Sequence, residues 1–117
     1  MADNKHILVV IRQAPFYSSA RESIDLALAL AAFELPISLL FTEQGVWCLS
    51  AQNSAQVEHK PLDKMLAALG LYDIEKVFVG EQDLACAGLT ELTATAEIID
   101  EAGIKALYHQ AAQVIRL

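Results

Sequence analysis

An unbroken apolar run, Ile7-Leu8-Val9-Val10-Ile11, constrains the fold of this chain more than any other segment. Strands of a sheet with one wet face alternate apolar and polar residues, whereas this run, rich in β-branched residues, has no polar member. Both of its faces must therefore be covered, and that is the situation of a strand inside a parallel sheet with helices on either side. The segment from His6 to Arg12 is expected to be the first and central strand of such a sheet.

The remaining pattern continues in the same style. Ser18 or Ser19 can accept a backbone N–H bond, so a helix is expected to start near Ser19. Within residues 21–33, Ile24, Ala27, Leu28 and Ala31 form one stripe at helical spacing, and Leu26, Leu30 and Phe33 form a second on another side. The first stripe can cover the sheet. The second is covered either by the rest of the chain or by a neighbouring subunit. Pro36 ends the helix, residues 37–41 read as the second strand, Thr42 to Gly45 as a turn, and residues 46–51 as a short helix. Residues 52–60 are polar and aperiodic, as in a surface loop; Pro61, Leu62, Met65, Leu66 and Leu69 then mark a helix ended by Gly70. A third strand is expected over 75–79, one or two helical turns over 83–88, and a weak strand over 94–98. Asp100 is placed to cap a helix running to His109, and residues 114–117 close the chain as a terminal strand. About five strands alternating with helices imply an α/β fold: a single-domain, three-layer sandwich of mainly parallel strands flanked by helices.

Composition limits the function classes. A length of 117 residues suits one domain over 1–117, and 55% hydrophobic residues exceed what a small core needs, which points to subunit interfaces and an oligomer. A formal charge of −7, with the basic residues scattered along the chain, argues against direct nucleic-acid binding. The N-terminal residues lack a signal-peptide layout and no apolar run reaches the ~18 residues of a membrane span, so a cytoplasmic location without membrane contact is expected. In that compartment Cys48 and Cys86 are free thiols by default.

Few residues offer chemistry. Gly45, Gly70, Gly80, Gly88 and Gly103 stand singly, so no phosphate-cradling loop is visible, and no cofactor is expected. His6, His59 and His109 lack Cys or His neighbours at ligand spacing, and no metal site is expected. Cys48 lies among Val46, Trp47 and Leu49, an apolar setting that raises a thiol pKa and suits packing. Cys86 lies among small residues beyond the third strand and is the stronger candidate for sulfur chemistry, although Glu81 and Asp83 disfavour a thiolate there. Asp25, Asp73, Glu75 and Glu81 form no pairing by spacing. Trp47 and Tyr72 read as core packing first and as interface anchors second. Arg21 and Glu22 either orient a loop or partner or form a surface charge pair at a helix start.

Several phrases in fixed order carry a resemblance: Ala14-Pro15, Arg21-Glu22-Ser23-Ile24-Asp25, Ala32-Phe33, Phe41 to Val46, Gln52, Leu69-Gly70-Leu71-Tyr72-Asp73-Ile74-Glu75, Asp83-Leu84 with Gly88-Leu89, and the closing Val114-Ile115-Arg116-Leu117. Together they resemble the TusC/DsrF family of sulfur-relay subunits over nearly the whole length. The resemblance implies a DsrE-like fold and a non-catalytic subunit that joins TusB-like and TusD-like chains in a dimer of heterotrimers. Such a complex passes persulfide sulfur to a TusE-like carrier for 2-thiolation of a tRNA wobble uridine. In DsrF-bearing organisms the related complex serves sulfur oxidation, and the Leu-Tyr-Asp-Ile-Glu phrase favours the TusC branch. The sulfur-accepting cysteine of TusD-like subunits falls near Gly80 here, so neither Cys48 nor Cys86 occupies its place. Two other readings stay open: Cys86 as a sulfur carrier in its own right, and a homo-oligomeric module binding a small ligand near the loops after the first and third strands.

Overall fold

Five parallel strands form one sheet in the order β4-β3-β2-β1-β5. The computed structural model describes residues 6–13, 18–49, 76–88 and 96–116, and elements are numbered over these. They are β1 (His6–Ile11), α1 (Ser18–Ala32), β2 (Ile37–Phe41), a 3-10 helix (Glu43–Leu49), β3 (Lys76–Gly80), α2 (Glu81–Ala87), β4 (Glu97–Ile99), α3 (Glu101–Gln110) and β5 (Ala111–Arg116).

The apolar run does become an interior strand. Val9 faces Leu39 on one side and Ile115 on the other, so β1 is hydrogen-bonded along both edges, although β2 holds the middle of the five. Alternation along the strands sorts the core into two layers. On one face Val9, Ile11, Leu39, Phe41 and Val79 pack with Ala20, Ile24 and Ala27 of α1, with Val46, Cys48 and Leu49 of the 3-10 helix, and with Leu84 of α2. On the other, Leu8, Val10 and Leu40 pack with Leu107 of α3, joined by partly buried Phe78, Ile104 and Val114. Burying each large apolar side chain contributes about 1.5–3 kcal/mol. The expected sandwich of parallel strands between helical layers is present.

Several boundaries differ from expectation. Helicity begins at Glu43 where a turn was expected and runs over Glu43–Leu49; residues 50 and 51 of the expected short helix lie outside the described residues. The cause is tertiary: the Thr42 N–H donates to the Ile11 carbonyl at 3.1 Å and the Gly45 N–H to the Thr42 carbonyl at 2.8 Å, winding the chain tightly against the end of β1. Glu43 takes φ 51° to enter that winding. At the other end, β5 starts at Ala111, three residues earlier than expected, because pairing with β1 extends to Ala111 and Gln113 despite their weak strand propensity. β4 occupies Glu97–Ile99 and is the shortest strand. Asp100 caps α3 as expected, accepting from the Gly103 N–H at 2.9 Å. The expected helix over 61–70, the polar loop over 52–60, and the phrases containing Pro15, Gln52 and Tyr72 lie outside the described residues. Among the described residues no helix is long and apolar enough to cross a membrane.

Candidate functional site

The chain order sets where a site can form. From β1 it builds outward through β2, β3 and β4, then returns across the sheet to place β5 on the other side of β1. α1, leaving β1, covers one face, and α3, leading into β5, covers the opposite one. The direction of winding thus reverses at the β1–β5 boundary, and α/β sheets bind ligands at the carboxyl ends of strands beside such a reversal.

At the carboxyl ends of β2 and β3, the 3-10 helix meets α2. Cys48 sits inside this junction, fully buried, with its Sγ donating to the Gln13 carbonyl at 3.7 Å. Burial pushes its thiol up to about 12, so it is protonated at neutral pH and acts as a packing residue that ties the 3-10 helix to the chain beyond β1. The reading of Cys48 from its apolar neighbours is borne out.

Cys86 is exposed on α2 and lines an open cavity of about 330 Å³ together with Glu43, Gln44, Trp47, Asp83 and Ala87. The helix fold therefore brings Cys86 and Asp83, three residues apart, to the same cavity. Trp47 is half-buried, packs against the core as expected and also lines this cavity. Two carboxylates at the rim repel an incoming anion such as a persulfide, so the cavity does not favour an anionic sulfur donor.

Gly80 ends β3 and opens α2. A Cβ there would lie 2.6 Å from Asp83 Oδ2, so any side chain at 80 requires the Asp83 carboxylate to swing away.

The environment of Arg21 differs from expectation. Arg21 does not form a surface pair at the helix start: it is half-buried, its Nε is buried without a hydrogen-bond partner, and Glu22 falls past the first turn because α1 begins at Ser18. Arg12, directly after β1, likewise has a buried Nε without a partner. Desolvation by neighbouring elements creates that condition, and no local pattern signals it. Asp25 and Glu81 are exposed, while Asp73 and Glu75 lie outside the described residues. His6 is buried at the start of β1, His109 ends α3, and His59 lies outside the described residues. His6, Ser38, Phe78, Glu97 and Gln110 line a cavity of about 420 Å³ at the amino ends of the strands, the opposite end from the loops assigned to the ligand-module reading.

Comparison with known proteins places this arrangement. The model of the "DsrE/DsrF-like family" matches residues 5–117. The "Protein TusC homolog" of Pseudomonas aeruginosa is 34% identical over 118 residues, covering 97% of this chain and 99% of its own. The "Intracellular sulfur oxidation protein DsrF" of Allochromatium vinosum is 28% identical over 89 residues, covering 74% of this chain and 65% of its own. Among solved structures, the ychN protein of E. coli superposes with a TM-score of 0.83 over 97% of this chain and 99% of its own; at 23% identity this likeness speaks for the fold alone.

Proposed function

The chain belongs to the DsrE/DsrF-like family, and from that premise we propose that it is the TusC-type subunit of a sulfur-relay complex. The observation that carries the reading is end-to-end similarity to a TusC homolog, against a shorter and weaker similarity to DsrF. On this reading the chain acts without a sulfur-bearing cysteine of its own. Cys48 is buried and protonated, and the family resemblance puts the TusD-like cysteine near Gly80, which has no side chain to carry sulfur. Its contribution is structural: it joins TusB-like and TusD-like chains in a dimer of heterotrimers. The assembly hands persulfide sulfur to a TusE-like carrier, and that sulfur ends in the 2-thiouridine of tRNA. The net charge of −7 supports a role without direct tRNA contact. The apolar surplus of the sequence is consistent with more than one subunit interface.

Co-expression with TusB-like and TusD-like chains, followed by native mass and persulfide mapping of each cysteine, tests this directly. A heterohexamer carrying sulfane sulfur on the other chains only is the expected result. A monomer that ignores both partners would overturn it.

One observation favours a second reading: Cys86 is exposed and lines a cavity. As a carrier, its thiolate would attack the outer sulfur of a donor persulfide. The donor would leave as a thiolate, with no oxidant needed. A Cys86→Ser subunit that supports full sulfur transfer within the complex excludes this role, and that is the expected outcome.

A further inference from the structure

β2 is the middle strand of the sheet and all five of its residues are buried, yet one of them is a serine. Side chains of a strand alternate between faces, so Ser38 points to the same side as Leu40, into the layer covered by α3. Its hydroxyl is fully buried there without a hydrogen-bond partner. Where a leucine would fill the layer, serine leaves room and an unmet hydroxyl.

That room is part of the cavity of about 420 Å³ at the amino ends of the strands. The cavity follows from the path of α3, which starts after β4 at the carboxyl end of the sheet and ends by delivering Ala111 to β5, beside His6 of β1. The helix thus reaches the amino end over β1, and the starts of β2, β3 and β4 are left beside its last turn. Register sets Lys76 next to Ser38 and Glu97 next to Phe78, so all four residues share this face. Leu107 and Gln110, three residues apart on α3, line the cavity from the helix side, and buried His6 lines it from β1.

A cavity of this size with apolar walls and a few converging polar groups suits a small molecule. The unmet hydroxyl points the same way, because native proteins satisfy such groups with protein, water or ligand. Charge decides which ligand. Lys76 only donates and Glu97 only accepts, and among the described residues no ion pair joins them. A simple anion would meet Glu97 and a simple cation would meet Lys76, each an unfavourable contact. We propose that this cavity binds a small zwitterion, an apolar α-amino acid. Its carboxylate lies on Lys76 and the Ser38 hydroxyl, its ammonium on Glu97, and its side chain against Phe78 and Leu107. Cys86 is at the opposite end of the sheet, so the site goes beyond the subunit reading and does not rest on it.

The test is a titration of the full chain, labelled with nitrogen-15, with L-leucine, L-methionine and L-phenylalanine in turn, followed through the backbone amides of Ser38, Lys76, Glu97 and Gln110. Saturable movement of these signals with at least one of the three, and a melting midpoint that climbs with its concentration, are expected. The analogue lacking the ammonium and the analogue lacking the carboxylate, for leucine 4-methylpentanoate and 3-methylbutylamine, should each bind about tenfold or more weakly. Lys76→Met and Glu97→Gln change exposed side chains and should each weaken binding by a similar factor. Ser38→Ala should weaken it too, while the chain alone melts no lower than wild type, because an unmet buried hydroxyl has been removed. A lower midpoint with unchanged binding overturns the contact with Ser38. Equal binding of either analogue overturns the zwitterion. Silence of all four signals toward each amino acid at about 10 mM, enough to fill even a millimolar site, overturns the site and leaves the cavity to water. None of these readouts involves partners or sulfur transfer, so failure here and failure of the subunit reading are told apart.

Discussion

Cys48 and Cys86 differ in what surrounds the sulfur, and the difference is measurable. With a thiol at about 12, Cys48 is roughly one part in ten thousand thiolate at pH 8, and it is also buried. Iodoacetamide at pH 8 should modify Cys86 in the native chain and reach Cys48 only after unfolding, as peptide mass mapping would record. The same shift links stability to pH. In the unfolded chain the thiol loses its proton at the ordinary value, near 9, whereas in the folded chain it keeps it up to about 12. Between those values the folded state binds more protons, so stability falls as pH rises, by as much as about 1.4 kcal/mol per pH unit, and the contribution is fully present below pH 9. Denaturation of wild type and Cys48→Ala at pH 8, 9 and 10 isolates it: the difference in stability between them should shrink as pH rises. A pH-independent difference would mean that Cys48 is not desolvated. Gly45 makes a steric prediction at the same junction. A Cβ there would lie 1.9 Å from the Ile11 carbonyl oxygen, which is backbone and cannot rotate away. Gly45→Ala should cost more than about 2 kcal/mol in a urea melt, against a small cost for Gly80→Ala, where only the Asp83 carboxylate must turn.

Elements whose pattern is self-contained were the legible ones. β1 could be read because no polar residue interrupts it, and α3 because Asp100 announces its start. That cap is worth about 1 kcal/mol, so Asp100→Ala should lower the melting midpoint by a few degrees, whereas Asp100→Asn should hold it. Elements created by a neighbour were not legible. The 3-10 helix starts at Glu43 because Ile11 supplies an acceptor to Thr42, and Ile11 is some thirty residues away in sequence. β5 reaches back to Ala111 because β1 offers a paired edge. The site followed the same rule. Burial of Cys48 was visible in Val46, Trp47 and Leu49, which are its own neighbours. The shared cavity of Cys86 and Trp47, and the unpartnered Nε atoms of Arg12 and Arg21, arise from elements folding against one another, and residue spacing carries no trace of that.

For the whole molecule, the open question set by the sequence is what covers the second apolar stripe of α1. The fold divides that stripe. Leu30 turns into the core layer and Leu26 is half-buried, whereas Phe33 is 78% exposed, with Leu35 beside it at 40%. Core packing therefore accounts for most of the helix and leaves an aromatic and a leucine at its carboxyl end. Leaving a phenylalanine in water forgoes about 1.5–3 kcal/mol of burial, and aromatic side chains are the usual anchors where subunits meet. If the subunit reading holds, Phe33 is where an interface contact belongs, and the test must separate folding from assembly. Phe33→Asp removes little that the isolated chain buries, so its unfolding free energy in urea should stay within about 0.5 kcal/mol of wild type. Affinity for the TusB-like and TusD-like chains should fall about tenfold or more, measured by titration and native mass. Wild-type affinity in the variant would move the contact away from this end of α1, and exposed Ile98, on the short edge strand β4, would be the next position to change.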